Sequence, residues 1–555
     1  MTSETVTAAG AVGEDRKLRH VVMAAGIGNV FEGYDFIVYG SLASVIAKHF
    51  FSNVNPTAGF IFTLLAFAAG FFVRPFGALV FGRIGDRVGR KKAFLITITI
   101  MGAATFAIGL LPTYESVGIL APILLISMRL LQGLSFGGEY GGALTFMAEH
   151  SPRNRRGLYC GWIQTAAGIG LFVSLVVIQI TRTTMGEDVF QDWGWRVPFL
   201  LSIVLLVLSI WLRLKLEESP LFQKLVAEGK QSERPVREAF TEWPNIKLFF
   251  LALFGLMATH GVLWYTAHFY TQFFLERMAK MPSPMVTFVM LIVTGVGMFS
   301  YVLFGWLSDF VGRKKVVVTA SILLTVSLWP LFHALIAATN PALARAQATA
   351  HVTVVADSSE CSVQFDPIGR ADFLSSCDIA KSMLANDAIN YTNETAPAGT
   401  IAEIHVGGTV VKSFNGRGLS LTARKAQMAA FTTRLKTALH AAGYPDGADP
   451  SQINLPLVIA LMLAAVIMST AVFGPIGAAI VEIFPTRIRY TASSLPYNIG
   501  AGWFGGFLPA IAFAVVAATG NIYSGLWFPI GVAVIGIVVM LFFLPETKDR
   551  DLHEM

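Results

Sequence analysis

Long apolar runs separated by short polar stretches dominate the chain. A helix needs about 20 apolar residues to cross the hydrocarbon core of a bilayer. Such runs occur near 20–48, 58–82, 93–111, 118–148, 158–181, 197–216, 246–275, 284–308, 316–338, 453–484, 491–518 and 523–544. The pattern predicts twelve membrane-spanning helices. It is broken twice, at the polar stretch 217–245 and at the long polar segment 340–452. The longer break reads as a small α+β unit. "HVTVVAD", "CSVQFD", "IAEIHVGG" and "TVVKSF" read as strands. "SSCDIAKSMLAND" and "LTARKAQMAAFTTRLKTALHAAG" read as helices, the second stopped by glycine and proline.

Charge orients the spans. Arg16, Lys17 and Arg19 precede span one, and Arg83, Arg87, Arg90, Lys91 and Lys92 fall between spans two and three. Arg153, Arg155 and Arg156 follow span four, and Arg313, Lys314 and Lys315 separate spans eight and nine. Arg487 and Arg489 follow span ten, and Lys548 and Arg550 follow span twelve. All these clusters share one side if each span crosses once. By the positive-inside rule that side is the cytoplasm. The expected organisation is a cytoplasmic N-terminus (1–19), a six-helix bundle (20–216) and a cytoplasmic linker (217–245). A second six-helix bundle (246–338 and 453–544) follows, interrupted by an extracytoplasmic insert (340–452), then a cytoplasmic tail (545–555). No cleavable signal peptide is expected, because residues 1–15 lack a basic stretch followed by a short apolar core.

Composition agrees. Hydrophobic residues make up 54% of the 555, charged ones only 14%, against about 25% in a typical soluble domain. Mean hydropathy is +0.62. The net charge of +6 belongs to cytoplasmic loops, so no nucleic-acid partner is expected. Cys361 and Cys377 lie in the insert, where an oxidising compartment favours a cystine between them. No P-loop, metal cluster or nucleophile triad appears, which argues against an enzyme and against a bound metal.

The chain also repeats itself. "GRIGDRVGRKK" (82–92) recurs as "GWLSDFVGRKK" (305–315), and "EHSPRNRRG" (149–157) is echoed by "EIFPTRIRY" (482–490). Two six-span halves, each with G-x-x-x-D-x-x-G-R-K after its second span, resemble the major facilitator superfamily. The acid-bearing first span, "RPFGALVFGRIGDRVGRKK", "RLLQGLSFGGEYGGA", and "WGWRVPF" followed by "LEESPLF" resemble its metabolite:proton symporter branch. That branch carries shikimate, α-ketoglutarate, citrate, and proline or betaine. The resemblance implies an all-α membrane fold of two six-helix bundles. It implies proton-coupled uptake by alternating access, with the proton gradient as energy source and no cofactor. It also implies a multi-pass protein of the cytoplasmic (inner) membrane, here expected to be a monomer.

Ionisable residues within spans are costly and mark function. Glu32, Asp35, Arg74, Arg129 and Glu139 qualify. Glu32 and Asp35, three apart, project from nearly one helix face. Asp35 with Arg129 reads as a proton switch, the arginine answering the charge of the acid, with Glu32 as a second relay or a packing acid near Arg74. A static ion pair is the bland alternative. Arg129, Arg74, Tyr34, Tyr265, His260, Tyr270, Asn498 and Gln164 are the candidate substrate ligands. Gly82, Asp86, Arg90, Asp309, Arg313 and Glu139 are the candidate gate. Asp86 is expected to pair with Arg90 or to face the positive N-terminus of another helix. Glu139 suits the gate, a structural role or the proton path.

Two intramembrane arginines favour a small organic acid as substrate. A zwitterionic osmolyte such as proline or betaine is the alternative. A transporter-like receptor using the insert to bind a partner is a third reading.

Overall fold

The computed structural model describes residues 22, 23, 25–35, 38–52, 56–230, 232–362 and 374–552. The cations at 16, 17 and 19 lie outside them, as does the end of the tail. We number the long helices one to twelve by the predicted spans they occupy. Among the described residues, nine are long and apolar enough to cross a membrane. They are helices three (Arg90–Leu110), four (Leu120–His150), five (Arg153–Met185), six (Arg196–Leu214), seven (Trp243–Met278), eight (Ser283–Val311), nine (Arg313–Thr339), ten (Leu455–Ile483) and twelve (Ser524–Phe543). The other three predicted spans are helical as well. Helix one is seen at 25–35 and Ala43–Phe50, helix two runs Pro56–Arg87, and helix eleven occupies 489–519 with a break before Leu508.

The basic motif corrects one expectation. It is not a loop: helix two continues to Arg87 and helix three begins at Arg90. The reversal is made around Gly89, whose φ of 128° suits glycine. Gly312 does the same at φ 113° between helices eight and nine. Arg83, Asp86 and Arg87 therefore ride on a helix end, where their side chains have fixed directions. A second local feature is wide i→i+5 turns. They interrupt helix seven at Leu251–Ala258, Thr266–Tyr270 and Phe274–Met278, and helix eleven at Asn498–Gly505. Such turns rotate the residues that follow, and they recur at functional sites.

Glycine lets the helices approach closely. A Cβ on Gly133 of helix four would lie 2.1 Å from the Gly70 carbonyl oxygen of helix two. Helices two and eleven, and five and eight, join the two halves.

The insert is a four-stranded sheet in the order β2-β1-β3-β4, with β1 Val352–Ala356, β2 Thr392–Thr395, β3 Glu403–Val406 and β4 Thr409–Lys412. β1 pairs parallel with β2 and antiparallel with β3, and β3–β4 is a hairpin. Alternation buries Val352, Val354, Ile404 and Val406 with Leu384 of the helix Ser376–Asn386 and Phe431 and Leu435 of the helix Leu421–Ala441. The pattern missed β2, a fully exposed edge strand with no apolar alternation. The strand expected at 361–366 falls mostly outside the described residues. Cys361 and Cys377 form a disulfide, Cα atoms 5.3 Å apart. The insert rests on the second half. Tyr391 N donates to the Gly520 carbonyl (2.8 Å), Ala448 N to the Lys280 carbonyl (3.1 Å), and Ile522 N to Asn390 Oδ1 (2.8 Å).

Candidate functional site

A cavity of about 90 Å³ lies between the two halves. Helices one, two, four and five supply Glu32, Arg74, Phe136, Tyr140 and Gln164. Helices seven, eight, ten and eleven supply His260, Trp264, Tyr265, His268, Tyr301, Phe473 and Tyr497. Aromatic rings supply much of the wall. Tyr140 stacks on Tyr497 across the halves at 3.8 Å between ring centroids, and His260 stacks on Phe473 at 3.7 Å. Trp264 donates to the Tyr301 hydroxyl (2.7 Å), and Gln164 to the Tyr140 hydroxyl.

Arg74 is the cation of this cavity. Its guanidinium lies over the Phe136 and Phe71 rings, 3.4 and 4.1 Å from their centroids. Among the described residues it makes no ion pair, and its Nε has no partner within the protein. Glu32 Oε2 and His260 Nδ1 are likewise buried without a partner.

The two acids of helix one part ways. Glu32 lines the cavity; Asp35 does not. Its carboxylate accepts from Thr105 Oγ1 of helix three (2.8 Å) and Gln132 Nε2 of helix four (2.6 Å). Arg129 Nη1 sits 3.6 Å from it and donates to Gln132 Oε1 (2.8 Å), with the guanidinium over the Tyr39 ring. Asp35 and Arg129 are thus brought together as a buried pair within the first half. The expected cluster of substrate ligands contracts. Arg74, Tyr265, His260 and Gln164 line the cavity, whereas Arg129, Tyr34, Tyr270 and Asn498 do not. Tyr34 turns away to donate to the Pro198 carbonyl (2.7 Å). Tyr270 packs on Phe332 inside the second half. Asn498 donates to the Gly137 carbonyl across the halves (2.9 Å).

At the basic end the halves are tied by a network with twofold pseudo-symmetry. Asp86 accepts from Thr491 N (2.9 Å), Thr491 Oγ1 (2.7 Å) and Tyr490 N (3.3 Å), at the start of helix eleven. It also pairs with Arg90 (3.3 Å). A Cβ on Gly82 would lie 2.8 Å from Thr491 Cα. In the second half Asp309 accepts from Gly157 N and Leu158 N of helix five, each at 2.9 Å, and pairs with Arg313 (2.7 Å). Glu149 takes Arg489 (3.3 Å) and Arg90 (3.6 Å); Glu482 takes Arg156 (3.0 Å) and Arg313 (3.4 Å). Glu149 and Glu482 were visible only in the second repeat, and Arg156 and Arg489 there and as charges that orient the spans. Two further acids cap helix starts: Glu218 accepts from Arg90 N (3.1 Å), and Glu546 from Arg313 N (2.8 Å).

Glu139 departs from the gate reading. It pairs with Arg213 of helix six and accepts from Thr97 Oγ1 of helix three (2.6 Å), all within the first half. These bonds fasten helices of one bundle and do not cross the interface. Arg213, fully buried, went unnoticed because a cation at the end of a span reads as a topology marker.

The sugar (and other) transporter family model matches residues 21–247 and 406–555. The chain belongs to that family, within the major facilitator superfamily, and is a multi-pass membrane protein. The proline/betaine transporter of Escherichia coli (strain K12) is 35% identical over 328 residues, 58% of this chain and 65% of that one. This chain therefore spans slightly less than two thirds of that relative. The shikimate transporter of the same organism is 34% identical over 324 residues, 58% of this chain and 73% of that one. Its alpha-ketoglutarate permease is 34% identical over 346 residues, 61% and 78% of the respective chains. Among solved structures, the proton:xylose symporter XylE bound to 6-bromo-6-deoxy-D-glucose shares the fold. The TM-score is 0.64, at 14% identity, over 98% of both chains.

Proposed function

We propose that this chain takes up a small carboxylate-bearing metabolite by proton symport across the cytoplasmic (inner) membrane. In this reading it crosses twelve times, with both termini and the basic end in the cytoplasm and the insert outside, and works as a monomer. The observation that carries the reading is Arg74. It is a buried cation without a carboxylate partner among the described residues, in a cavity with aromatic walls between two pseudo-symmetric halves. Buried polar groups need partners, and a substrate carboxylate matches a guanidinium with two donors.

The Asp35–Arg129 pair supplies the coupling. Protonating Asp35 removes one charge that holds Arg129 and weakens the pair, so that the helix-four guanidinium can shift toward substrate. Deprotonation restores the pair and weakens substrate binding. The basic-end network is the cytoplasmic gate: it closes that end while the cavity faces outward and opens when the halves rock. The location of the insert agrees with its disulfide, which suits an oxidising compartment.

A zwitterionic substrate is the second reading, favoured by Glu32. Its unpartnered oxygen shares the cavity with Arg74, and aromatic walls suit a cationic group. Reconstituted protein given a proton gradient and labelled carboxylates, proline or betaine tests both. Gradient-driven uptake of one class names the substrate; uptake of a carboxylate indifferent to the gradient sinks symport.

A further inference from the structure

On the lipid-facing side of the second half, a groove of about 1050 Å³ opens among helices eight, nine, ten and twelve. Its body is apolar, with Leu307, Leu323 and Met468 among its lining, and its mouth carries Lys314, Lys315 and Lys548. From Lys314 to Leu323 helix nine rises about 14 Å, close to half of a hydrocarbon core of about 30 Å. The groove is thus one leaflet deep, with amines at the headgroup level and apolar walls at the acyl level.

Two of the three lysines are held by hydrogen bonds. Lys314 Nζ donates to the Leu541 carbonyl (2.9 Å) and Lys548 Nζ to the Phe310 carbonyl (2.9 Å), each at a helix end. Lys315 is exposed and has no ion-pair or hydrogen-bond partner among the described residues. Two acids share the mouth. Glu546 is engaged in capping helix nine through Arg313 N, and it also accepts from Thr547 N of the tail (3.0 Å). Asp549 is exposed.

We propose that this groove is a binding site for an anionic glycerophospholipid of the cytoplasmic leaflet. The phosphate would lie between Lys315 and Lys548, and one acyl chain would run down toward Leu323 and Met468. The assignment rests on the orientation proposed above, since it needs the basic end at the cytoplasmic surface. Bound there, the lipid would brace helices eight and nine, which carry Asp309 and Arg313 of the gate.

The test uses the full chain in nanodiscs of mixed phosphatidylglycerol, phosphatidylethanolamine and phosphatidylcholine. Lipid retained after transfer to detergent is read by native mass spectrometry. Phosphatidylglycerol should be retained in preference to both others. A juxtamembrane lysine is worth about fivefold in affinity for anionic lipid, so Lys315→Gln with Lys548→Gln should lower retention about 25-fold. Lys91→Gln with Lys92→Gln, the first-half counterparts of Lys314 and Lys315, should leave retention unchanged. Leu323→Trp keeps the charges, fills the acyl channel and should also lower retention. Equal retention of the three lipids overturns the proposal, and so does retention indifferent to the Lys315 and Lys548 changes. Preferential phosphatidylethanolamine would mean that Asp549 governs the mouth, and overturns it too. The readout needs no transport, so a protein that fails to couple protons still tests the lipid site.

Discussion

Asp86 of helix two caps the start of helix eleven at Thr491, accepting from both its backbone N–H and its hydroxyl across the interface between the halves. Asp309 repeats the arrangement on helix five at Gly157 and Leu158. A carboxylate at a helix N-terminus meets unsatisfied N–H donors and the positive end of the helix dipole. Donor and acceptor belong to different bundles, so in the proposed cycle the bond would exist only while this end is closed.

Weakening that bond should open the gate. A hydrogen bond to a charged group contributes about 1.5–3 kcal/mol, so Asp86→Asn should move the closed-to-open ratio about tenfold or more toward open. Spin-label distances between the basic ends of helices two and eleven would report it. An unchanged distance distribution would contradict the latch.

The Glu139–Arg213 pair should behave differently. Both side chains are fully buried in one bundle. Removing one partner of such a pair costs about 3–5 kcal/mol. Arg213→Met should therefore lower the unfolding temperature markedly, and Glu139→Gln in the same chain should recover part of the loss. The spin-label distances across the gate should stay as in the parent protein.

Arg74 and Glu32 divide the substrate question. Arg74→Gln should raise the KM for any carboxylate substrate about 10- to 100-fold, the worth of a charge-assisted hydrogen bond. Glu32→Gln should raise KM for a zwitterion and leave a simple acid nearly untouched. Competition assays with proline, betaine and di- or tricarboxylates separate the two.

The insert should stand or fall on its own. The disulfide joins residues 16 apart, and closing a loop of that size contributes about 3 kcal/mol. Cys361→Ser with Cys377→Ser should speed hydrogen exchange in the insert. It should leave exchange in helices one to six unchanged, because among the described residues the insert's hydrogen bonds reach only the second half.

Much of this was legible in residue order. Apolar runs outlined the helices, the duplicated motif gave the two halves, and Asp86 was expected at another helix's N-terminus. What failed was helical phase. Tyr34 lies two residues from Glu32 and Tyr270 two from His268, and i,i+2 positions point about 200° apart. With Glu32 and His268 facing the cavity, Tyr34 and Tyr270 had to face away. Glu32 and Asp35, only 60° apart, still separate, because the cavity edge falls between them. The aromatic walls contributed by Tyr140, Tyr301 and Phe473 were hidden because an aromatic residue in a lipid-soluble helix has no polar signature. Wide turns in helices seven and eleven shift phase further.

The central claim is that Asp35 carries the coupled proton through its pair with Arg129. The measurement is transport by Asp35→Asn in proteoliposomes, comparing substrate counterflow without a gradient and accumulation driven by one. The account predicts that counterflow persists while gradient-driven accumulation is lost. Accumulation at the level of the parent protein would contradict it.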